Sequence, residues 1–270
     1  MKSPYNISGV LLGLVLVGMA CSSSQLGMAS PTSEPTISAP TQPAPTETRI
    51  PTDTPLPTNT PKPTPDKKAT QSALATEVAQ NALDQVNSDL EKIGLSVGKG
   101  SIGWVQDEPY TIEMTTFGDS FYSEFAEDLV VSDFIIKSEI TWESDGLVYC
   151  GIQFRSEANY VEGSHYRFQT MRFSGLPAWD IELWDKGDFQ KNITGKVRFS
   201  DALNIENGST NTYIVSVEGN EFTVYINDVR QGTFYDYSNS TDSGRFAWLA
   251  FQESGPSSCS FDNSWIWVKE

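Results

Sequence analysis

Histidine, cysteine and positive charge are all scarce in this chain. Its 270 residues include 1 histidine and 3 cysteines, and 18 lysines and arginines stand against 35 acidic residues, so the formal net charge is −17. A surface that binds nucleic acid must be basic, so this charge excludes nucleic acid as a partner and disfavours anionic membrane surfaces. A single histidine, without a Cys-x-x-Cys motif, also argues against a zinc site.

Proline is scarce outside one segment. Of the 15 prolines, 11 lie between Pro31 and Pro65, together with 10 threonines and few large apolar residues. Such a segment cannot bury enough apolar surface to fold, and repeated proline favours an extended polyproline II conformation. We therefore predict a disordered Pro/Thr-rich stalk over residues 21–65, which leaves enough chain for one folded domain.

Long hydrophobic runs are absent, and one short run lies near the N-terminus. Residues 7–17 follow a positively charged start and are too few to span a bilayer. The segment ends at Ala20-Cys21 and resembles the lipobox of bacterial lipoproteins, although Gly18 stands where leucine is usual. The resemblance implies a signal peptide over residues 1–20, lipidation of Cys21 and membrane anchoring in the bacterial cell envelope, outside the cytoplasm. An ordinary secretory signal with a coincidental cysteine is the alternative.

Helix-forming residues without proline or glycine occupy positions 67–93, and Gly94 supplies a C-terminal stop. We predict one amphipathic helix over residues 66–94. Four of its apolar residues have a heptad-like spacing that could form a short coiled coil between chains: Leu83, Val86, Leu90 and Ile93. The favoured alternatives are that this stripe packs on the chain's own β-domain or that the helix is a spacer, and we then expect a monomer.

Beyond Gly100 the period of the apolar residues changes from 3.6 to 2, which indicates strands with one buried face. Inward-facing rows are predicted within residues 134–142, 148–154, 166–168 and 179–183, and further strands at 212–217, 221–227, 229–235, 245–251 and 259–268. Many short strands at near-regular spacing predict an all-β antiparallel sandwich.

The strand sequences resemble the concanavalin A-like jelly rolls, which include laminin-G-type modules and 3-keto-disaccharide hydrolase-like domains. The likeness lies in the segment 150–155 (CGIQFR), in the hairpin around Gly219-Asn220 and in the closing segment 261–263 (FDN). It implies a jelly-roll β-sandwich over residues 95–270. The same fold carries lectins, glucanases and protein-binding modules, so it does not by itself decide the chemistry.

Two cysteines remain beyond the lipobox. The alternation places Cys150 and Cys259 on the core-facing side of their strands. The family pattern brings these strands together, and an exported protein lies in an oxidising compartment, so the resemblance implies a disulfide between them. Two separate buried thiols are the alternative.

The same alternation places polar and aromatic side chains on the face opposite the core. Planar amides, guanidinium groups and carboxylates bond sugar hydroxyls, and the C–H face of a sugar ring stacks on tryptophan or tyrosine. We therefore predict a ligand site formed by Tyr149, Gln153, Arg155, His165, Arg167, Gln169, Asp180, Glu182 and Trp184. An ordinary polar face whose charges pair with one another is the alternative.

Two carboxylates in this set also raise the possibility of catalysis. Asp180 and Glu182 project on the same face of one strand, as the acid and the nucleophile of a glycosidase must. An acidic domain will also place two carboxylates together by chance. Acidic loops at residues 201–211 and 236–243 offer oxygen ligands for Ca²⁺, although no EF-hand spacing is present.

These features predict a lipid-anchored binding module at the cell surface, with glycan as its ligand. One alternative is a glycoside-processing enzyme that uses Asp180 and Glu182. The other is a structural or adhesive lipoprotein whose partner is another surface protein. Binding is favoured over catalysis because only one pair of candidate catalytic residues is present, and it sits in a strongly acidic domain.

Overall fold

Alternating apolar residues form strands over most of the part of the chain that this computed structural model describes. That part is residues 67–270 without Asp145, Ser174 and Asn239, and without the side chains of residues 67–73 and Phe173. The expected signal peptide, the lipidation at Cys21 and the stalk lie outside the described residues.

One helix precedes a series of strands. Their bounds are α1 Lys67–Lys92, β1 Gly100–Val105, β2 Tyr110–Met114, β3 Ser120–Phe125, β4 Phe134–Ser144, β5 Val148–Ser156, β6 His165–Phe173, β7 Leu176–Asp185, β8 Asp188–Asn192, β9 Arg198–Phe199, β10 Thr210–Glu218, β11 Glu221–Ile226, β12 Val229–Tyr235, β13 Arg245–Gln252 and β14 Ser257–Lys269.

The strands pair into two antiparallel sheets. The first sheet has the order β1-β14-β4-β10-β11-β12, and β2 also pairs with β14. The second sheet has the order β3-β13-β5-β6-β7-β8, and β9 also pairs with β7. Consecutive strands such as β4 and β5, or β13 and β14, lie in different sheets, so the chain crosses repeatedly between the two layers. The predicted all-β antiparallel sandwich is confirmed.

The predicted inward-facing rows fill the space between the sheets. Side chains of one row on β4 and one on β5 are buried in a single core: Phe134, Ile136, Ile140, Trp142, Val148, Cys150, Ile152 and Phe154. Cys150 on β5 and Cys259 on β14 form a disulfide that joins the second sheet to the first, with their Cα atoms 5.7 Å apart. The predicted disulfide is therefore confirmed.

The C-terminal half of α1 packs on the outer face of the first sheet. Val86 and Leu90 are fully buried against this face, and Leu83 and Ile93 pack beside them. The heptad-like stripe therefore binds the chain's own β-domain, and the coiled-coil interpretation of these residues is wrong. Among the described residues, no helix combines the length and the apolar character needed to cross a membrane.

A carboxylate lies inside this helix–sheet interface. Asp89 Oδ2 accepts hydrogen bonds from Trp265 Nε1 and Gln85 Nε2, both at 3.0 Å. Its Oδ1 lies 3.0 Å from Lys92 Nζ, and Lys137 Nζ approaches Oδ2 at 3.3 Å. Burial by itself would raise the pKa of Asp89, but the hydrogen bonds from Gln85, Trp265 and Lys92 outweigh it and lower the pKa below its ordinary value. Asp89 thus links α1 to the first sheet through buried polar contacts.

Candidate functional site

The outer face of the second sheet, opposite the core, carries most of the predicted site. Strands β5, β6 and β7 are neighbours, and their register pairs Arg167 with Glu182, Gln169 with Asp180 and His165 with Trp184. Residues two apart on a strand share a face, so these three pairs stand side by side. Strand pairing therefore gathers side chains that are up to 19 positions apart in the sequence.

This face forms a cavity of about 340 Å³. Five of the nine predicted residues line it: Tyr149, Arg167, Gln169, Glu182 and Trp184. The other lining residues come from β3, from β13 and from two loops, and they are Ser120, Tyr122, Leu249, Phe251, Val161 and Gly187. The cavity thus combines aromatic walls with one guanidinium, one amide and one carboxylate.

Arg167 is held in one orientation by three neighbours. Its Nε donates to His165 Nε2 at 2.9 Å, and its Nη2 donates to Tyr122 OH at 2.8 Å. Its guanidinium carbon also lies 3.9 Å from the centroid of the Trp184 ring, a cation–π contact. Burial lowers the pKa of Arg167, but an arginine stays protonated in a protein. Within the described part of the chain Nη1 has no hydrogen-bond partner, so it is available to a ligand.

His165 supports Arg167 from behind and is itself fully buried. Since its Nε2 accepts from Arg167, its Nδ1 carries the proton and donates to the Gly163 carbonyl at 2.9 Å. Burial, with the nearby charge of Arg167, lowers the pKa of His165 to about 3. His165 is therefore neutral at physiological pH and positions Arg167; it does not line the cavity.

The two carboxylates occupy different depths. Glu182 lines the cavity, and its Oε2 accepts a hydrogen bond from Trp184 Nε1 at 2.8 Å. Asp180 is 1% exposed and lies behind the cavity, where it accepts hydrogen bonds from Gln169 Nε2 at 3.1 Å and Asn192 Nδ2 at 2.8 Å. Burial and the neighbouring charge of Glu182 raise the pKa of Asp180 to about 7, and burial raises the pKa of Glu182.

The placement predicted for Arg155 is wrong. Its φ is 47°, and the register between β13 and β5 shifts next to it, as at a β-bulge. A bulge interrupts the two-residue alternation and re-aims the side chain. Arg155 therefore points to one end of the sandwich, where it donates to the carbonyl oxygens of Ser132 at 2.8 Å and Gly219 at 2.7 Å and pairs with Asp133 at 3.2 Å.

Gln153 is on the predicted face but does not line the cavity. It is fully buried, and its Nε2 donates to Ser156 Oγ at 2.9 Å and to the Tyr160 carbonyl at 3.0 Å. The loop between β5 and β6 covers it.

Sequence reasoning missed the residues that β3 and β13 contribute. On β13 a signal was available, because Trp248 and Ala250 belong to the core and the alternation then turns Leu249 and Phe251 outward. Tyr122 had no comparable signal. It reaches the site because β3 pairs with β13, and β13 pairs with β5.

The two acidic loops considered for calcium bond to their own chain. Asp236 accepts hydrogen bonds from Lys191 Nζ at 2.6 Å, Tyr166 OH at 2.7 Å and the Ser238 amide at 2.8 Å. In the other loop, Asn211 exchanges two 2.8 Å hydrogen bonds with the Asn204 backbone. Within the described ranges, no group of three or more His, Cys, Asp or Glu side chains is placed to hold a metal ion. The structure gives the calcium hypothesis no support.

No protein-family model and no curated protein matches this sequence. Solved structures with a similar arrangement of strands include the carbohydrate-binding module CBM66 from Bacillus subtilis, which is 16% identical, with 63% of this chain and 96% of that chain covered and a TM-score of 0.46. Sheep galectin-11 is 11% identical over 54% of this chain and 99% of that chain, with a TM-score of 0.35. A β-glucanase from Bacillus licheniformis is 12% identical over 53% of this chain and 69% of that chain, with a TM-score of 0.38. At such identities, the likeness carries no information on the chemistry of this cavity.

Proposed function

We propose that this domain binds glycan in the cavity of the second sheet. The observation that carries the proposal is the pairing of Arg167 with Glu182 across β6 and β7, on the floor of a cavity with aromatic walls. A free guanidinium N–H donates to one sugar hydroxyl, while a carboxylate accepts from another. Both groups are oriented by their neighbours, which reduces the entropy lost on binding.

The cavity walls suit a sugar ring. Tyr149 and Phe251 lie side by side on neighbouring strands, in an edge-on contact with ring centroids 5.3 Å apart, and Tyr122 lies on the β3 side. Aromatic rings of this kind pack against the C–H faces of sugars while their hydroxyl groups bond to polar atoms. A volume of about 340 Å³ is also within the range of small-molecule sites.

The position of Asp180 favours binding over glycoside hydrolysis. A hydrolase needs two carboxyl groups that both reach the scissile bond. Here Glu182 lines the cavity, whereas Asp180 lies behind it, with its two oxygens bonded to the side-chain amides of Gln169 and Asn192. A sugar in the cavity therefore meets one carboxylate of the pair.

A glycan array followed by titration calorimetry tests this function on the full chain. Arg167→Met removes the guanidinium donors and keeps much of the side-chain volume, so we expect it to weaken binding about tenfold or more. Arg230→Met is the matched control, because Arg230 lies on β12 of the first sheet. If the folded protein retains no glycan, or if Arg167→Met binds as the natural chain does, the proposed function is wrong.

We also propose that the chain is a lipoprotein of the bacterial envelope, anchored through Cys21. The short apolar run of residues 7–17 and the Ala20-Cys21 step support this. Expression with labelled palmitate, followed by detergent partition, should place label and protein in the detergent phase. The Cys21→Ala variant should lose the label and leave the membrane fraction. A natural chain without label would contradict the proposal.

A further inference from the structure

We infer that the cavity selects neutral sugars and rejects sugars that carry a carboxylate or sulfate group. This inference rests on the proposed glycan binding and adds the class of ligand. It comes from the charges and hydrogen-bonding capacities that surround the cavity.

Acidic residues outnumber basic ones in and directly around this cavity. Arg167 is the one cationic residue among those that line the cavity in the described part of the chain. Glu182 lines the same cavity, and Asp180 lies directly behind it, with a pKa of about 7 that leaves it partly ionised at neutral pH. Glu253 is near enough to Tyr149 to act on its pKa, together with Asp180 and Glu182. The carboxylates therefore oppose the attraction that Arg167 exerts on an anionic ligand.

Neighbouring protein groups also already engage the charged guanidinium of Arg167. Its guanidinium lies against the Trp184 ring, is bonded to Tyr122 and stands opposite Glu182 in register. Arg167 and Glu182 nevertheless form no ion pair within 4.0 Å in the described part of the chain, since neither appears in a salt bridge. The two groups therefore interact through their charges without bonding to each other, so a ligand in the cavity can contact both.

The hydrogen-bonding capacities of Arg167 and Glu182 distinguish a hydroxyl group from an anionic group on the ligand. A hydroxyl group both donates and accepts, so neighbouring hydroxyls can accept from Arg167 and donate to Glu182. A carboxylate or sulfate only accepts. It could accept from Arg167, but it has no hydrogen to donate to Glu182, and it would place a second negative charge beside that carboxylate in a partly desolvated site.

Matched glycan pairs test the inference on the full chain. The two glycans of a pair share the same sugar sequence. One is neutral, and in the other one sugar is a uronic acid or carries a sulfate group. We expect the natural chain to bind the neutral member at least tenfold more tightly. Glu182→Gln removes the negative charge and keeps an acceptor for Trp184 Nε1, so the preference should shrink at least threefold.

The control is Glu143→Gln, which changes the net charge by the same amount on β4 of the first sheet. It should leave the preference unchanged. Raising the salt concentration should also narrow the preference in the natural chain, because salt screens charge repulsion. Circular dichroism verifies that each variant is folded.

The outcomes separate the two proposals. If acidic members bind as tightly as neutral ones, or if Glu182→Gln leaves the preference unchanged, the inference is overturned while glycan binding stands. If neither member of any pair binds, both the inference and the proposed function fail.

Discussion

The guanidinium carbon of Arg167 lies 3.9 Å from the centroid of the Trp184 ring. The same indole donates its Nε1–H to Glu182 at 2.8 Å. Trp184 therefore positions both charged groups of the cavity, and Arg167 covers one face of the ring. Stacking of a sugar on that face is excluded, so Tyr122, Tyr149 and Phe251 remain as aromatic walls.

Trp184→Ala should weaken glycan binding about tenfold or more, because it removes the support of Arg167 and the donor to Glu182. Trp184→Phe keeps a ring but loses the N–H, and we expect an intermediate loss. Titration calorimetry on the full chain measures both. Phe199→Ala is the control, since this exposed β9 residue lies in the same sheet and does not line the cavity. Unchanged affinity in Trp184→Ala would contradict the assigned role.

His165 should not titrate in the folded protein between pH 8 and 5, because burial lowers its pKa to about 3. It is the one histidine of the chain, so proton NMR gives a single imidazole signal to follow. In urea the same signal should titrate near the ordinary value of about 6.5. A folded-state midpoint near that value would show that the ring is not buried as described.

The lowered pKa of His165 also has a consequence for stability. As the pH falls from about 6.5 towards 3, His165 binds a proton in the unfolded chain but stays neutral in the folded chain. This residue therefore makes the free energy of unfolding fall as the pH falls through that window. His165→Gln keeps a side-chain acceptor for Arg167 but cannot titrate, so its free energy of unfolding should lack this decrease. Urea titrations at several pH values measure the difference.

Asp180 should act in the opposite direction. Its pKa is raised from 3.8 to about 7 in the folded chain, so between these values the folded chain holds a proton that the unfolded chain has released. The free energy of unfolding then decreases as the pH rises, by up to about 4 kcal/mol. Asp180→Asn does not ionise, so its stability relative to the natural chain should increase from pH 4 to 7. A constant difference over this range would show that the pKa is not raised.

Asp89→Ala should destabilise the docked helix by about 3 kcal/mol, because it leaves the buried Trp265 Nε1 without an acceptor and removes one partner of buried Lys137. Urea unfolding measures the loss, and hydrogen exchange should show faster opening of α1. Asp84→Ala is the control on the same helix, where the side chain is exposed and accepts a hydrogen bond from Gln80. Equal effects of the two substitutions would argue against the role of Asp89 in holding α1 on the sheet.

Replacing Cys150 and Cys259 together by alanine should cost roughly 4 to 5 kcal/mol in the chain-entropy account, because the disulfide closes a loop of 109 residues. Denaturant unfolding of the natural and double-variant chains gives the difference. Peptide mapping without reductant should recover the linked peptides. Free thiols at both positions in folded material would contradict the disulfide.

Much of this fold could be predicted from the sequence because a strand has an exact period of two. That period assigned Phe134, Cys150 and Trp179 to the core, and Arg167 and Trp184 to the opposite face, without knowledge of any partner strand. Helix-forming composition and the stop at Gly94 likewise located α1. These are local properties, so they can be read along the chain.

Tertiary structure alone decided which strands are neighbours and where the period breaks. Tyr122 bonds to Arg167, 45 positions away, because β3 pairs with β13 at one side of the second sheet, and local periodicity carries no information on such pairing. Arg155 lies outside the predicted site because a bulge next to it interrupts the alternation of side chains between the two faces of β5. The depth of Asp180 behind Glu182 also depends on Gln169 and Asn192 from adjacent strands. Long-range pairing therefore determined which of the predicted residues can meet a ligand.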